Sequence, residues 1–468
     1  MLDNIDRDQH YVGEFQLDGE NLPGEILYNR ERGVIWLSIN RTVQGPGKSF
    51  RKLERITGKL SSGSYVTLFQ NYCIKNQTQN FHVQHLLFQS NYVIWSKNNN
   101  AAQAFNKMVC VVENGLEWGG MTQIDDDGFE GIKYKSLDTN KEYNWYGAKI
   151  KFSTHLENGL WHNPREEICK IVEHLQISIE NEEKQAVEFF LQVRNKVMAL
   201  ISFAIKDNLN VVNQYLIDTD DYYILAKDIK QPYHHHITTN EPYHYLRNTP
   251  RFRYNFALKQ LPTERDISDD LEKLEPVFNL YLSLFKYPDM PTEMVFLNIV
   301  QAVETFHSRF FYKNKKSAYI KSVTDRFGSY SNFDQIKKLL LCDTQMDENC
   351  GYIILLSRLN DLLIGKYDGL FCEFYLEDPE YAQRIADTRH YYTHYGKSKE
   401  EKAFKGDQLN EAITIMALLL EYNICLKLDI DIRNRIASEL RSNFDYKRLD
   451  EINNKTSSET EQKIGGEI

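Results

Sequence analysis

The stretch from Pro379 to Tyr395 reads PEYAQRIADTRHYYTHY, and it predicts one helix of about four to five turns. Asp378 precedes it as a favourable N-cap, and proline suits the first helical position. Gly396 follows it as a residue typical of the position just beyond a helix end. The helical spacing predicts one stripe that faces the core of a helical domain, and it consists of Tyr381, Ile385, Thr388, Tyr392 and Tyr395.

Three charged or titratable side chains of this segment lie off the stripe. His390 and His394 are four residues apart, so they share a face roughly opposite the stripe. Arg389 lies on the flank, about 140° from His394 on an ideal helix. A guanidinium stays positive at physiological pH, and an imidazole can give or take a proton near neutrality. These groups should therefore meet solvent, another domain or a second copy, and two copies related by a two-fold axis could share one cleft.

The remainder of the C-terminal part is also predicted to be helical. Apolar residues at helical spacing indicate helices over 292–312, 332–342, 351–374, 407–428 and 431–441. The segment 409–428 is strongly apolar, which is typical of a central helix in a bundle.

The N-terminal part has the pattern of β structure. Strands are predicted over 24–28, 34–39, 65–70, 81–88, 109–112, 168–179 and 222–225, with an amphipathic helix over 182–206. The expected fold class is α+β, with an antiparallel sheet or sandwich carrying one or two helices, followed by an all-α bundle. The predicted domains are a β-rich region 1–265, a linker 266–290, a helical domain 291–450 and a disordered tail 451–468.

The charge distribution leaves two interpretations open. The net charge of the 468 residues is −10, which counts against a general nucleic-acid coat but not against a local basic site. Residues 305–341 carry eight Lys or Arg against two acids. This basic stretch could be a solvated loop and helix surface, or it could bind phosphates. The candidates for phosphate binding are Arg309, Lys313, Lys315 and Lys316.

The cysteines, the apolar runs and the histidine spacing indicate the cellular compartment and whether a metal site is expected. Seven cysteines without a CxxC pair argue against a disulfide framework or a structural zinc site. No secretory leader and no membrane-spanning apolar run is expected, so we predict a soluble cytoplasmic protein without membrane partners. His390 and His394 have the spacing of a zinc pair, but Tyr391 stands where a zinc-protease helix has glutamate, and no third ligand is evident. We therefore expect neither a metal nor a cofactor.

The segment from Arg389 to His394, late in a helical C-terminal domain, resembles the R-x4–6-H motif of HEPN ribonucleases. The polar residue after the arginine, here His390, also fits that pattern. The β-rich region opens with Gly-Glu-Ile-Leu-Tyr at 24–28, and the whole layout resembles ApeA-type anti-phage HEPN proteins. The HEPN resemblance covers about 290–445, and the N-terminal resemblance covers about 10–260.

The resemblance implies a metal-independent endoribonuclease that is active as a homodimer or higher homo-oligomer. Its RNA target could be a structured RNA such as tRNA, and a phage-derived trigger could activate it. Arg389 would stabilise negative charge on the phosphate, and His394 would act as general base or acid, while His390 would assist or position the phosphate. Glu304 would orient a motif residue, with an ordinary ion pair as the other interpretation. Tyr391 and Tyr395 could stack on bases, although the position of Tyr395 on the core-facing stripe favours packing for that ring.

A second hypothesis belongs to another class of protein. The helical domain could be a non-catalytic module that binds nucleotides or proteins, with the β-rich region as the main ligand binder.

Overall fold

A computed structural model describes residues 9–29, 34–44, 48–79, 82–97, 104–113, 115–120, 124–126, 132–134, 141–157, 172–218, 221–225, 254–287, 289–311, 316–329, 333–341, 354–364, 370–371 and 380–443. The chain forms two compact units. Unit 1 contains Met1–Val197, Leu209–His236 and Thr263–Asp266, and unit 2 contains Met198–Asn208, Ile237–Pro262 and Ile267–Ile468. The predicted disordered tail, 451–468, lies outside the described residues.

Unit 1 begins with a six-stranded antiparallel barrel. Its strands are β1 (Gln9–Leu17), β2 (Glu20–Asn29), β3 (Val34–Thr42), β4 (Lys52–Leu60), β5 (Tyr65–Gln79) and β6 (Val83–Ser90). They follow the order β5-β4-β1-β2-β3-β6, and pairing of β5 with β6 closes the circle. The alternate apolar residues point inward, so the interior is a packed core. The prediction of a β-rich region is confirmed, with a closed barrel where a sheet or sandwich was expected.

The Phe15 ring accounts for the presence of glycine at two positions of this barrel. Its ring is fully buried, and Gly58 faces it across the β1–β4 pair. A Cβ added at Gly58 would lie 2.5 Å from the ring, and one added at Gly24 would lie 2.8 Å from it. Both neighbouring strands therefore carry a residue without a side chain at the point where the ring needs the space.

The barrel continues into a larger antiparallel sheet with seven more strands. They are β7 (Tyr92–Ser96), β8 (Ala104–Val112), β11 (Glu142–Trp145), β12 (Ala148–Glu157), β13 (Val172–Ala186), β14 (Val211–Asp218) and β15 (Asp221–Leu225). Their order is β11-β12-β13-β8-β14-β15-β7, and β7 joins the barrel by pairing with β5. Strands β9 (Ile124–Asp126) and β10 (Ile132–Tyr134) form a separate pair. A short helix, α1, covers Leu116–Gly119.

Helix α2 (Val187–Ile205) begins five residues later than the predicted 182. Residues 182–186 extend strand β13 instead, because Gln185 and Ala186 pair with Phe105 and Ala104 of β8. The buried face of the helix, which includes Phe190, Val197 and Ile201, follows the predicted pattern.

Unit 2 is helical. After a short 3-10 turn (Leu258–Gln260), its helices are α3 (Ser268–Lys286), α4 (Thr292–Phe310), α5 (Lys316–Phe327), α6 (Phe333–Leu341), α7 (Leu355–Ile364), α8 (Tyr381–His394), α9 (Lys397–Glu400), α10 (Asp407–Lys427) and α11 (Arg433–Asn443). Each helix predicted in this part has a counterpart in the described ranges, but Leu370 and Phe371, inside the predicted helix 351–374, form a turn. The helical C-terminal fold is confirmed.

The predicted linker 266–290 is wrong for most of its length, because helix α3 occupies Ser268–Lys286. Leu271, Leu274, Phe278 and Tyr281 are buried on one face. This helical spacing outweighs Pro262 and Pro288, which flank the segment and led to the linker prediction. Helix α5 is also absent from the helices that the sequence predicts, because its residues stand out there only as part of the basic stretch 305–341.

Helix α10 is the core of unit 2. It is long and apolar enough to cross a membrane, whereas the sequence analysis expected no apolar run of that length. Within the described ranges it is the sole helix of that kind. Of its most apolar stretch, 83% is buried inside the protein. It is therefore the central packing helix that its sequence predicted.

Two buried polar clusters join the helices of unit 2. On α4, His307 has Nε2 2.8 Å from a carboxylate oxygen of Asp361 on α7, and burial lowers the pKa of this imidazole while Asp361 opposes the shift. The other cluster surrounds Glu421 of α10, whose carboxylate lies 3.0 Å from Lys206 Nζ and 2.7 Å from an Arg435 nitrogen. The Tyr281 hydroxyl donates to the same carboxylate over 2.6 Å.

Candidate functional site

Helix α8 is held to unit 2 by the first part of its predicted stripe. Tyr381, Ile385 and Thr388 are buried, and the helix packs against α4 and α7. The ring of Tyr392 lies edge-on to Phe296 of α4, with 6.4 Å between ring centroids. The helix therefore presents its opposite side outward, as the sequence predicted.

The chain after α8 turns back and packs on the same helix; we call residues 396–406 the return segment. The Phe404 N–H donates to the Thr388 hydroxyl over 2.9 Å, and the Tyr392 hydroxyl donates to the Phe404 carbonyl over 3.0 Å. The guanidinium of Arg384 lies 4.3 Å from the centre of the Phe404 ring. These contacts fix the return segment beside the exposed end of α8.

The end of α8 differs from the prediction. Tyr395, and not Gly396, takes the left-handed conformation that closes the helix, with φ 50° against −74° for Gly396. This conformation costs a residue with a side chain roughly 1–2 kcal/mol relative to glycine. Tyr395 is also 66% exposed, so its assignment to the core-facing stripe is wrong. Because the backbone of Tyr395 is left-handed, its ring does not continue the buried stripe that includes Thr388. At the other end, the helix begins at Tyr381 with Glu380 as the N-cap, two residues later than predicted, so Asp378 is not the N-cap and Pro379 is not the first helical residue.

The two histidines are together on the outer face of α8. His390 and His394 are both exposed, and their ring centroids are 4.8 Å apart. Neighbouring imidazoles at this distance can serve the two proton transfers of an acid–base reaction. Within the described ranges, no group of three His, Cys, Asp or Glu side chains has the arrangement of a metal site.

Arg389 is directed toward α4, where it meets Glu304. A terminal nitrogen of the guanidinium lies 4.0 Å from a carboxylate oxygen, and the two side chains are 36% and 26% exposed. The predicted proximity of Glu304 to the motif is thus present in the geometry. The carboxylate can orient the guanidinium while leaving part of it open to a ligand.

A second cation near Glu304 was not identified from the sequence. Arg358 of α7 is buried, and burial lowers the pKa of its guanidinium while the charge of Glu304 opposes that shift. Glu304 therefore interacts electrostatically with a partly exposed and a buried arginine. The sequence signal is weak, because Arg358 becomes a neighbour only when α7 packs against α4.

Asp387 is a second residue near the motif that the sequence analysis does not identify. It is 3% exposed, and one carboxylate oxygen accepts from Lys399 Nζ at 2.6 Å and from the Gln383 amide at 2.9 Å. It lies three and seven residues before His390 and His394, so the three share one side of α8. Lys399 belongs to the return segment, and its ion pair with Asp387 attaches that segment beneath the histidines.

The predicted phosphate-binding residues are only partly described. Arg309 is exposed in the last turn of α4. Lys313 and Lys315 lie outside the described residues, and Lys316 is described only as the first residue of α5. The basic stretch as a binding surface stays a prediction.

Comparison with protein families identifies both halves of the chain. A family model described as ApeA N-terminal domain 1 matches residues 10–274, more than half of the 468 residues. A second, described as Apea-like HEPN, matches residues 297–433, a range that includes Glu304, Arg389 and His394. Neither a search of curated proteins nor a search of solved structures found a match.

Proposed function

Because the chain belongs to the ApeA family, with an ApeA N-terminal domain followed by an Apea-like HEPN domain, we propose that it is an anti-phage endoribonuclease. The observation that carries this proposal is that one helix of the HEPN domain holds a partly exposed Arg389 beside Glu304 and carries His390 and His394 on its outer face. A guanidinium and two adjacent imidazoles, all reachable from solvent, supply the groups that metal-independent cleavage of RNA needs.

The proposed reaction uses the ribose itself as nucleophile. One imidazole removes the proton of the 2′-OH, and the resulting oxygen attacks the adjacent phosphorus. Arg389 stabilises the negative charge that builds on the phosphoryl oxygens. The bond to the 5′-oxygen breaks, and an imidazolium gives that oxygen a proton. The products are a 2′,3′-cyclic phosphate and a 5′-OH. His394 is the principal acid or base, and His390 assists.

The geometry of α8 supports a cleft shared by two copies. The segment is a single helix from Tyr381 to His394, and Arg389 is directed toward Glu304 of α4. His394 projects about 140° away around the helix. In a symmetric dimer, Arg389 of one copy faces His394 of the other, and each protomer completes its partner's site.

The proposed biological role follows from the two-domain layout. The ApeA N-terminal domain responds to an infection cue or restrains the nuclease, and the HEPN domain cleaves host or phage RNA in the cytoplasm. Cleavage of an essential RNA such as tRNA stops growth and viral replication. This role rests on the family and on the proposed chemistry.

Incubation of the purified protein with total RNA tests the proposed activity. Cleavage is expected, and EDTA is expected to leave its rate unchanged because neither imidazole nor guanidinium chemistry needs a metal. Loss of cleavage in EDTA would indicate a metal mechanism. RNA binding without cleavage would favour the non-catalytic binding module.

Glu304→Gln is expected to slow cleavage by about 10- to 100-fold, because Arg389 loses the charge that orients it. The ion pair is partly exposed, so the free energy of unfolding should change by less than about 1 kcal/mol. The measurements are kcat at saturating RNA and urea denaturation, with Glu411→Gln, an exposed acid on α10, as the matched control. An unchanged kcat would contradict the orienting role. A faster rate would instead show that Glu304 holds Arg389 away from phosphate.

A further inference from the structure

A group of two tyrosines and a lysine lies at the C-terminal end of α8, where Tyr395 directly follows His394 in the chain. Tyr391 and Tyr395 are one helical turn apart, and their rings meet edge to face with centroids 5.5 Å apart. Lys405 of the return segment places Nζ 5.4 Å from the centre of the Tyr391 ring. We call these three residues the aromatic step.

Tyr395 adopts a strained backbone without gaining a buried position for its ring. Its N–H closes the last turn of α8 by donating to the Tyr391 carbonyl over 2.5 Å, while the ring stays mostly in solvent. Gly396 is adjacent and would adopt a left-handed conformation without strain. A bulky residue kept in such a conformation at the edge of a site is a reason to look for a function of its side chain.

Lys405 has the position and freedom of a phosphate ligand. Its contact with Glu400 is 3.4 Å long, and both side chains are about half exposed (52% and 49%). Such surface ion pairs contribute little and exchange readily with another anion. The backbone of the return segment is fixed by Phe404, the residue just before Lys405.

We propose that the aromatic step is a nucleotide-binding subsite, in which Tyr395 stacks on a nucleobase and Lys405 binds a phosphate next to the one that is cleaved. The proposal rests on the ribonuclease function above and specifies its substrate. A base can stack on Tyr395 only when it is not stacked within a duplex, so the substrate is RNA with an unpaired nucleotide beside the cut. Stacking accepts every base, so this subsite selects accessibility more than sequence.

The subsite can be tested by RNA binding without turnover. In a His394→Ala background, the affinity for a fluorescent single-stranded RNA is measured by anisotropy, with and without Tyr395→Asn. Asparagine tolerates a left-handed backbone but lacks the ring. The dissociation constant is expected to rise by about 5- to 150-fold, the range that the loss of one stacked base implies. The melting temperature is expected to stay the same or to rise, because backbone strain is relieved.

Two further variants separate stacking from other roles. Tyr395→Phe keeps the ring and is expected to bind as the parent does. Lys405→Ala is expected to weaken binding and to lower the slope of log affinity against log salt by about 1. The matched control is Lys286→Ala combined with Tyr287→Ala, an exposed pair at the end of α3. The control should bind RNA as the background protein does.

The outcomes distinguish the subsite from the proposed function. If the parent cleaves RNA and Tyr395→Asn binds and cleaves equally well, the subsite is wrong and the ribonuclease stands. Weaker binding by Tyr395→Phe, equal to that of Tyr395→Asn, would also overturn stacking. If Tyr395→Asn weakens binding but the parent never cleaves RNA, the subsite stands on a non-catalytic protein.

Discussion

A one-to-one mixture of Arg389→Ala and His394→Ala protein is expected to regain RNA cleavage that neither variant has alone. Each variant by itself should be slower than the parent by at least about 100-fold, because one loses the stabilising charge and the other a proton carrier. In a shared cleft, a mixed dimer has one pocket with both groups intact. Half of the dimers in a random mixture are mixed, so recovery of up to about a quarter of the parent rate is expected.

The structural reason for this expectation is the single continuous helix that carries both residues. Arg389 is drawn toward Glu304, whereas His394 lies at the exposed helix end beside Tyr395. The measurement is cleavage of a labelled RNA after the variants have been unfolded together and refolded, or co-expressed. Sedimentation should show equal dimer content for each variant and for the parent. Dimers that form normally but regain no activity would place both groups of each pocket in one protomer.

Lys206→Met is expected to destabilise unit 2 by about 3–5 kcal/mol, because it leaves a buried carboxylate without one of its cations. The cluster around Glu421 contains two acids and two bases, so its charges balance. Lys206 Nζ also lies 3.8 Å from Glu439, and Arg435 contacts the same acid at 2.5 Å. Burial raises the pKa of Glu439, while Lys206 and Arg435 oppose that shift. Loss of Lys206 leaves one net negative charge in a largely buried site.

Urea denaturation of the helical transition measures this effect. Lys286→Met makes the same chemical change on the surface of α3 and should stay within about 0.5 kcal/mol of the parent. Adding Glu439→Gln to Lys206→Met restores charge balance and should recover part of the lost stability. A Lys206→Met protein as stable as Lys286→Met would show that the cluster contributes packing only.

Much of the site could be predicted because it depends on local sequence. The spacing of Ile385 and Thr388 identified the buried face of α8, and the positions of His390 and His394 followed from the same periodicity. Helical rotation also placed Arg389 on the flank. The prediction that Tyr395 belongs to the buried stripe is wrong because of how the helix ends. Glycine is the usual residue in the left-handed position at a helix end, but Tyr395 takes that position here and Gly396 does not.

Contacts between distant segments could not be predicted in the same way. Arg358 approaches Glu304 only after α7 packs on α4, and Lys399 reaches Asp387 only because the return segment folds back. In the β-rich region, several strands are predicted from their own residues, whereas β1 and β4 of the barrel are not. Closure of the barrel depends on β5 pairing with β4 and with β6, and a further pairing with β7 joins it to the larger sheet. The helix at Ser268–Lys286 was obscured by flanking prolines, although its apolar spacing was visible.

The most direct test of the proposed chemistry is a single 2′-deoxy substitution at the nucleotide that the protein cuts. Once the cleavage site in an RNA oligonucleotide has been mapped, the same oligonucleotide is made without that one hydroxyl. If the ribose oxygen is the nucleophile, cleavage at that position is lost, and the all-ribose RNA yields a 2′,3′-cyclic phosphate and a 5′-OH. Continued cleavage at the substituted position would contradict the account, since another nucleophile would then attack the phosphorus.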